Sequence, residues 1–368
     1  GGDDGEGRMF LSETHLPQVL PLEAYNDQAW FDREREQLFR PAWHAVATTS
    51  EIPVQGDFVT VDVCGFSVIV HNADGEPRAY VNCCPHRLSQ LTHAERGRQC
   101  RLKCQYHGWE FDADGSTRRI PDAPGFRPLE KGRLGLVSLA TAVHGQLVFV
   151  RLGPGPSLPS FLGSSAELIA GAVAPGHVQF CTWSRTVEAN WKLVIENTLE
   201  SYHVGEIHRR TLGAMPEEGV CRHDFDRDSS TFTSPGGVPG LAGAVQARLL
   251  AGLGLPRQGL YRHHILLPAL CFSLMDDLVI LWTFEPLGPR RTRLSVRGFG
   301  VQSPRAGGVA NRLLAFTARR HLSFWSRVWV EDLDLYPDVQ AGVDSPTRPG
   351  SGLLSRREER VHHFQSWI

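Results

Sequence analysis

Cys84-Pro85-His86 is followed, after seventeen intervening residues, by Cys104-Gln105-Tyr106-His107-Gly108-Trp109. Each half offers one thiolate and one imidazole, so two loops present two soft sulfurs on one side and two nitrogens on the other. A single tetrahedral zinc accepts mixed Cys/His sets, although the usual zinc finger groups its cysteines together and its histidines together. Two mixed pairs suit a [2Fe-2S] centre in which one iron takes both thiolates and the other both imidazoles.

The Cys-x-His and Cys-x-x-His-Gly-Trp details resemble the Rieske family, which implies cluster ligation by Cys84, His86, Cys104 and His107. In the high-potential branch of that family each ligand loop carries an extra cysteine, the two joined as a disulfide, and a serine follows the second histidine. The matching positions here are Ser89, Tyr106 and Trp109. Hydrogen bonds to sulfur raise the potential of such clusters, so their loss implies a value toward the low end of the Rieske range, suited to oxygen chemistry.

At 368 residues the chain has room for two domains, each with its own core. A formal charge of -2 and a pI near 6.8 give no reason to expect a nucleic-acid partner. No run of eighteen apolar residues occurs, so no transmembrane helix is expected. Gly1 to Arg8 is rich in glycine and acid with no apolar segment behind it, the pattern of a frayed terminus rather than a secretory leader. Beyond the two ligand cysteines, the other six are scattered without pairing logic, and reduced, cytoplasmic thiols are the simpler expectation.

Leu20 to Phe39 carries apolar residues at helical intervals behind a capping Asn26 or Asp27, predicting one or two short helices. Strand patterns begin at Trp43. Val59 to Val63 alternates, Ser67 to His71 and Arg78 to Asn82 flank Asp74-Gly75, a second hairpin turns at Asp114-Gly115, and Gln146 to Val150 closes the unit. A small antiparallel domain over residues 43–153 is expected, preceded by a helical segment over 1–42 and followed, after the Gly/Pro/Ser stretch Gly153 to Ser160, by a catalytic domain over 160–368. In that last domain strands are predicted at Val178 to Val187, Leu278 to Phe284 and Thr292 to Gly298, the last two joined through Pro286-Leu287-Gly288-Pro289. Helices are predicted at Trp191 to Tyr202, Gly307 to Trp329 and Val330 to Tyr336, the last stopped by Pro337. Asp226 to Gly259, rich in Gly, Ser, Pro and Ala, reads as a long, partly mobile segment. The fold class is α+β, with antiparallel sheets in both domains.

A second metal signal lies in Asn190-Trp191-Lys192 through Glu196-Asn197 to Glu200-Ser201-Tyr202-His203 and His208. Glu200 and His203 are three apart and share a helix face. His208 is five beyond His203, an interval that needs a bend, for which Gly205 is available. Two histidines and a distant carboxylate make the facial triad of a non-haem Fe(II) oxygenase; by themselves they are equally readable as hydrogen-bonded core histidines.

Taken with the cluster motif, this stretch resembles the catalytic helix of the Rieske non-haem iron oxygenase α subunits, a resemblance covering nearly the full length. It implies a helix-grip catalytic domain, and a third ligand within Val328-Trp329-Val330-Glu331-Asp332, namely Asp332, with Asp334 as the rival. It further implies that Glu200 bridges the cluster histidine of one subunit to an iron-ligating histidine of its neighbour in a homotrimer. An aspartate is commoner at that position, and glutamate occurs in α-only members such as quaternary-amine monooxygenases. The implied activity is hydroxylation or oxidative demethylation of a small organic substrate by O2 at Fe(II), with aromatic ring cis-dihydroxylation as the alternative. Gly252-Leu253-Gly254 lacks the third glycine of a dinucleotide fingerprint, so the electrons are expected from another protein; the resemblance implies a separate reductase carrying flavin and an iron–sulfur centre and drawing on NAD(P)H.

Arg87, Arg96, Arg98, Arg101 and Lys103, opposed by Glu95 alone, offer a basic patch to an acidic reductase or to solvent. A pure electron carrier without its own catalytic iron, or a zinc-stabilised binding module, are the competing classes. His263, His264, Trp282 and Trp325 are candidates for a substrate pocket, whose occupant no local motif names.

Overall fold

The computed structural model describes residues 10–130, 132–237, 240–304, 307–347 and 352–368; the expected frayed Gly1 to Arg8 lies outside them. The chain divides into two compact units, one formed by residues 35–171 and the other by residues 1–34 with 172–368. No helix among the described residues is long and apolar enough to cross a membrane.

The 35–171 unit is built on an antiparallel sheet whose strands run in the order Trp43–Thr48, Leu147–Arg151, Ser138–His144, Glu76–Val81, Phe66–Ala73, Asp57–Val63 and Arg96–Arg98. Asp74 and Gly75 both take positive φ (56° and 87°), the geometry of a tight hairpin that Asp-Gly favours, and Ala73 pairs with Glu76 across it. A three-stranded sheet of Leu102–Lys103, Glu110–Phe111 and Thr117–Arg119 carries the second cysteine loop between its first two strands. Phe58, Ile69, Tyr80, Trp109 and Phe111 pack around the two cysteines as one apolar cluster. Three cations of the expected basic patch meet acids outside it: Arg98 Nε lies 2.7 Å from Asp57, Arg101 Nε 3.7 Å from Asp112 and Lys103 Nζ 3.9 Å from Glu110.

In the other unit, six strands from Arg222 to Val301 follow one another as an antiparallel meander: Arg222–Phe225, Ser229–Pro235, Leu260–Leu266, Leu270–Leu274, Leu278–Gly288 and Arg291–Val301. His177–Val187 pairs with the last of them. A 37-residue helix, Gly308–Asp344, packs on this sheet. A Cβ at Gly298 would stand 3.1 Å from Leu322 Cδ2, and one at Gly300 3.2 Å from the Ala318 Cβ, so these glycines let helix and strand approach closely. In the N-terminal segment Asp27 caps Gln28–Glu34, its Oδ1 accepting from the Trp30 amide at 2.8 Å.

Three expectations are corrected. The described residues between Asp226 and Gly259 include regular elements, the strand Ser229–Pro235 and the helix Gly240–Gly252, which the Gly, Ser, Pro and Ala content of the stretch did not announce. The strand Leu278–Gly288 runs on through Pro286, and the chain turns at Pro289-Arg290, with Gly288 opposite Arg291. Pro337 sits inside the long helix rather than ending it. Its ring removes one intrahelical bond, yet burial on either side, at Tyr336 and at Gln340, carries the helix through.

Candidate metal centres

Two loops of the 35–171 unit bring the Cys/His set together. Each closes on itself: the Cys84 amide donates to the Ser89 carbonyl and the Cys104 amide to that of Trp109, both at 2.8 Å. Gly108 takes φ 71°, which lets the second loop turn back on Cys104. Cys84 and Cys104 are buried, and the His86 and His107 rings lie 4.6 Å apart. Trp109 stacks on His86 at 5.0 Å with the planes 6° apart.

Burial pushes the Cys84 thiol up to about 11, with neighbouring Cys104 adding to the rise against a hydrogen bond from the His86 amide. A buried thiolate needs a cation beside it. The buried Nδ1 of His86 has no hydrogen-bond partner among the described residues. An orphaned imidazole nitrogen beside two thiols is the donor set that an iron–sulfur cluster would satisfy.

The second centre is assembled across the other unit. Asn190 caps the helix Trp191–Leu199, its Oδ1 accepting from the Lys192 amide at 3.0 Å and its Nδ2 donating to the Pro289 carbonyl at 2.7 Å. Trp191 Nε1 and Lys192 Nζ both donate to the buried Glu34 carboxylate, at 2.8 and 2.6 Å. The motif Asn-Trp-Lys therefore pins this helix at its start.

The helix ends sooner than expected. Glu200 is extended (φ -129°, ψ 166°), so it and His203 do not share a helix face. The two meet because the chain folds back: Glu200 Oε1 accepts from His203 Nδ1, while Oε2 accepts from the amides of Tyr202 and His203. Nor does Gly205 bend the chain. It lies within the single helical turn Val204–Ile207, and His203 and His208 flank that turn as its two caps.

Their Nε2 atoms stand 3.1 Å apart; Asp332 Oδ1 lies 3.1 Å from that of His208 and 3.6 Å from that of His203. Donors on one face of an octahedron with bonds of about 2.1 Å stand about 3.0 Å apart, so the three residues fit one metal ion. They are the group so disposed among the described residues. Asp334, the rival, is exposed on the other side of the helix.

Three neighbours went unassigned in the sequence. Glu331 Oε2 accepts from His208 Nδ1 at 2.9 Å and from Thr211 Oγ1 at 2.7 Å, and Asn197 Nδ2 donates to Asp332 Oδ1 at 3.0 Å. Both Glu331 and Asn197 sit inside motifs quoted above, but only the fold says which way they face. Burial disfavours the charged form of His208, yet bonds to Asp332 and Glu331 outweigh it and raise its pKa.

The triad opens on a cavity of about 1170 Å³. His263, Trp282 and Trp325 line it; His264 does not, since it points to the opposite face of its strand and bonds Thr231 at 2.9 Å.

The family description "Ring hydroxylating alpha subunit (catalytic domain)" matches residues 177–368, and "Rieske [2Fe-2S] domain" matches residues 42–134. Choline monooxygenase of Spinacia oleracea is 25% identical over 96% of this chain and 79% of its own length. The large oxygenase component of the naphthalene 1,2-dioxygenase system of Pseudomonas aeruginosa is 31% identical over 71% of this chain and 65% of its own length. In other matches, to glycine betaine and carnitine monooxygenase oxygenase subunits, the chain spans about half of the relative (47% and 54%). The solved structure of the quaternary ammonium Rieske monooxygenase CntA with L-carnitine has the same fold, at TM-score 0.76 and 20% identity over 95% of this chain and 94% of that one. The chain belongs to the Rieske non-haem iron oxygenase α subunits. It is an oxidoreductase of the mono- and dioxygenase type, whose cofactors are a [2Fe-2S] cluster and a mononuclear iron, with O2 as co-substrate and electrons from a separate reductase.

Proposed function

We propose that the chain is a terminal monooxygenase that places one atom of O2 in a C–H bond of a small organic molecule. The other atom leaves as water, with two electrons and two protons consumed; where the carbon attacked is a heteroatom-bound methyl, the hydroxymethyl product breaks its carbon–heteroatom bond and leaves as formaldehyde, the heteroatom keeping the hydroxyl proton. The observation that carries this is the triad of His203, His208 and Asp332, with donors 3.1 to 3.6 Å apart, opening on the large cavity.

Cys84, His86, Cys104 and His107 would hold the cluster, and His203, His208 and Asp332 the mononuclear iron. Iron bound there supplies redox equivalents and open coordination positions, which triplet oxygen needs to react with a closed-shell substrate. The protein's share is positional. Glu200 and Glu331 fix the two Nδ1–H tautomers, so that each Nε2 offers its lone pair to one point. Asn197 orients the Asp332 oxygen, and the aromatic walls exclude water from the reacting carbon.

The subunits form a head-to-tail homotrimer in which Glu200 joins the partner's cluster histidine to His203. Glu200 already accepts from His203 Nδ1 and from two amides, and the fourth lone-pair site of a carboxylate serves the partner's cluster histidine; a solved quaternary ammonium Rieske monooxygenase is described with inter-subunit electron transfer. The free state of all eight cysteines supports a cytoplasmic setting. Ring cis-dihydroxylation is the second reading, favoured by the match to the naphthalene enzyme.

The test is oxygen uptake by the holoprotein with a surrogate reductase across methylated amines, aryl ethers and aromatic acids, products weighed by mass spectrometry. One oxygen atom per product supports the monooxygenase, and two on adjacent ring carbons the alternative. Material holding fewer than about three irons per chain under preserving conditions would sink both.

A further inference from the structure

Among the described residues, one cation of the cavity wall has no counter-ion of the kind a buried charge ordinarily has. Arg360 lines the cavity and is 1% exposed. Its Nε donates to Ser230 Oγ at 3.0 Å, its Nη2 to the Ser230 carbonyl and His263 Nδ1, both at 3.2 Å, and its Nη1 to the Leu199 carbonyl at 3.4 Å. All four acceptors are neutral, and one N–H on Nη1 remains unspent. No carboxylate among the described residues lies within 4.0 Å of the guanidinium. Burial lowers Arg360 only to about 10, so it stays charged at neutral pH. A buried, unpaired charge is costly enough that proteins retain one chiefly where a ligand completes the pair.

The rest of the lining has the same sign. Its carboxylates are Glu200 and Asp332, and both are engaged by the iron-site histidines. Arg320 and Arg327, a heptad apart on the long helix, line the cavity and are exposed, again with no carboxylate within 4.0 Å among the described residues. Tyr261, another lining residue, lies within electrostatic reach of both Arg360 and Asp332. The cation and the metal triad therefore face the same space.

We infer that the substrate is an organic acid, whose carboxylate enters past Arg320 and Arg327 and pairs with Arg360 while its oxidisable part packs on the aromatic wall toward the iron triad. This rests on the oxygenase reading above and names its substrate class. Trp282 and Trp325 accept an aromatic ring or a methylated ammonium equally well. A zwitterion such as carnitine fits the class, whereas choline and naphthalene, which have no carboxylate, do not.

The test is anaerobic calorimetry on the holoprotein with matched trios of carboxylic acid, primary amide and alkylammonium built on aryl, aryl-ether and trimethylammonium frames. At least one acid should bind about tenfold or more tighter than its amide. Arg360→Met should erase that preference while amide affinity and iron content stay unchanged. If Arg360→Met does not fold, Arg360→Lys serves: it keeps the charge but not the fork, so the preference should fall without vanishing, and the double variant Arg320→Gln/Arg327→Gln should slow acid association alone. Amides or ammonium compounds binding as tightly as acids, no acid preference anywhere in the panel, or a preference that survives Arg360→Met overturns the inference. Acid-selective binding without substrate-dependent oxygen uptake would instead sink the oxygenase reading and leave the anion site standing.

Discussion

His203 and His208 are each gripped twice, once by a carboxylate behind the ring and once by the point at which their Nε2 atoms converge with Asp332. Asp332→Ala should therefore remove about one iron of three while leaving the cluster's visible absorption, and Asp334→Ala should change neither; elemental analysis beside an absorption spectrum decides it. Glu331→Gln keeps the shape but weakens the charge that steadies His208, and a fall of about 10- to 100-fold in affinity for the mononuclear iron is expected from competition with a chelator. At this scale the ligand types were legible, because Cys, His and Asp announce their chemistry. The choice between Asp332 and Asp334 was not, since two residues on a helix differ by a rotation that only the packed long helix fixes.

At the scale of elements, local rules misled where the backbone was decided elsewhere. The five-residue interval between His203 and His208 suggested a hinge at Gly205, but the residue is helical and a Cβ there would meet Met215 Cγ at an ordinary 3.6 Å. Gly205→Ala should keep its iron and gain up to about 1 kcal/mol in urea unfolding. Asp226 to Gly259 and Pro337 were misread for a related reason: composition and a missing amide are weak forces beside strand pairing, as at Ser229–Pro235, and burial, as at Tyr336 and Gln340. The hairpins at Asp74-Gly75 and Asp114-Gly115 were legible because positive φ is a local demand that few residues meet.

On the far side of the helix Trp191–Leu199, burial raises Glu196 to about 7 despite hydrogen bonds from Tyr25 at 2.6 Å and Gln365 at 3.0 Å. The folded chain thus holds a proton that the unfolded chain releases near 4.5. This contribution to stability is complete below about pH 4.5 and is lost as pH rises through 7, amounting to roughly 3 kcal/mol. Glu196→Gln should not lose it, so the variant should gain on wild type between pH 5 and 8 when melting is followed by calorimetry.

For the whole molecule, the sequence put its two metal-ligand motifs in the order in which the Rieske and catalytic-domain descriptions match, and it missed the acids that meet part of the basic patch. Arg98, Arg101 and Lys103 have acidic neighbours in Asp57, Asp112 and Glu110, which leaves Arg87 and Arg96 as the cations of that patch without a carboxylate within 4.0 Å among the described residues. If the patch steers the reductase, charge reversal at Arg87 and Arg96 should slow stopped-flow reduction of the cluster and flatten its dependence on salt, while reversal at Arg101 should do less.

The triad also has a mechanical consequence. Its donors come from residues 203 to 208 and from residue 332, so a metal ion held between them rivets a short loop to the middle of a 37-residue helix. Free iron at a hundredfold over its dissociation constant would add about 3 kcal/mol to the cohesion of that unit. Starvation for iron would then leave this oxygenase not merely idle but looser, and quicker to be cleared by proteolysis.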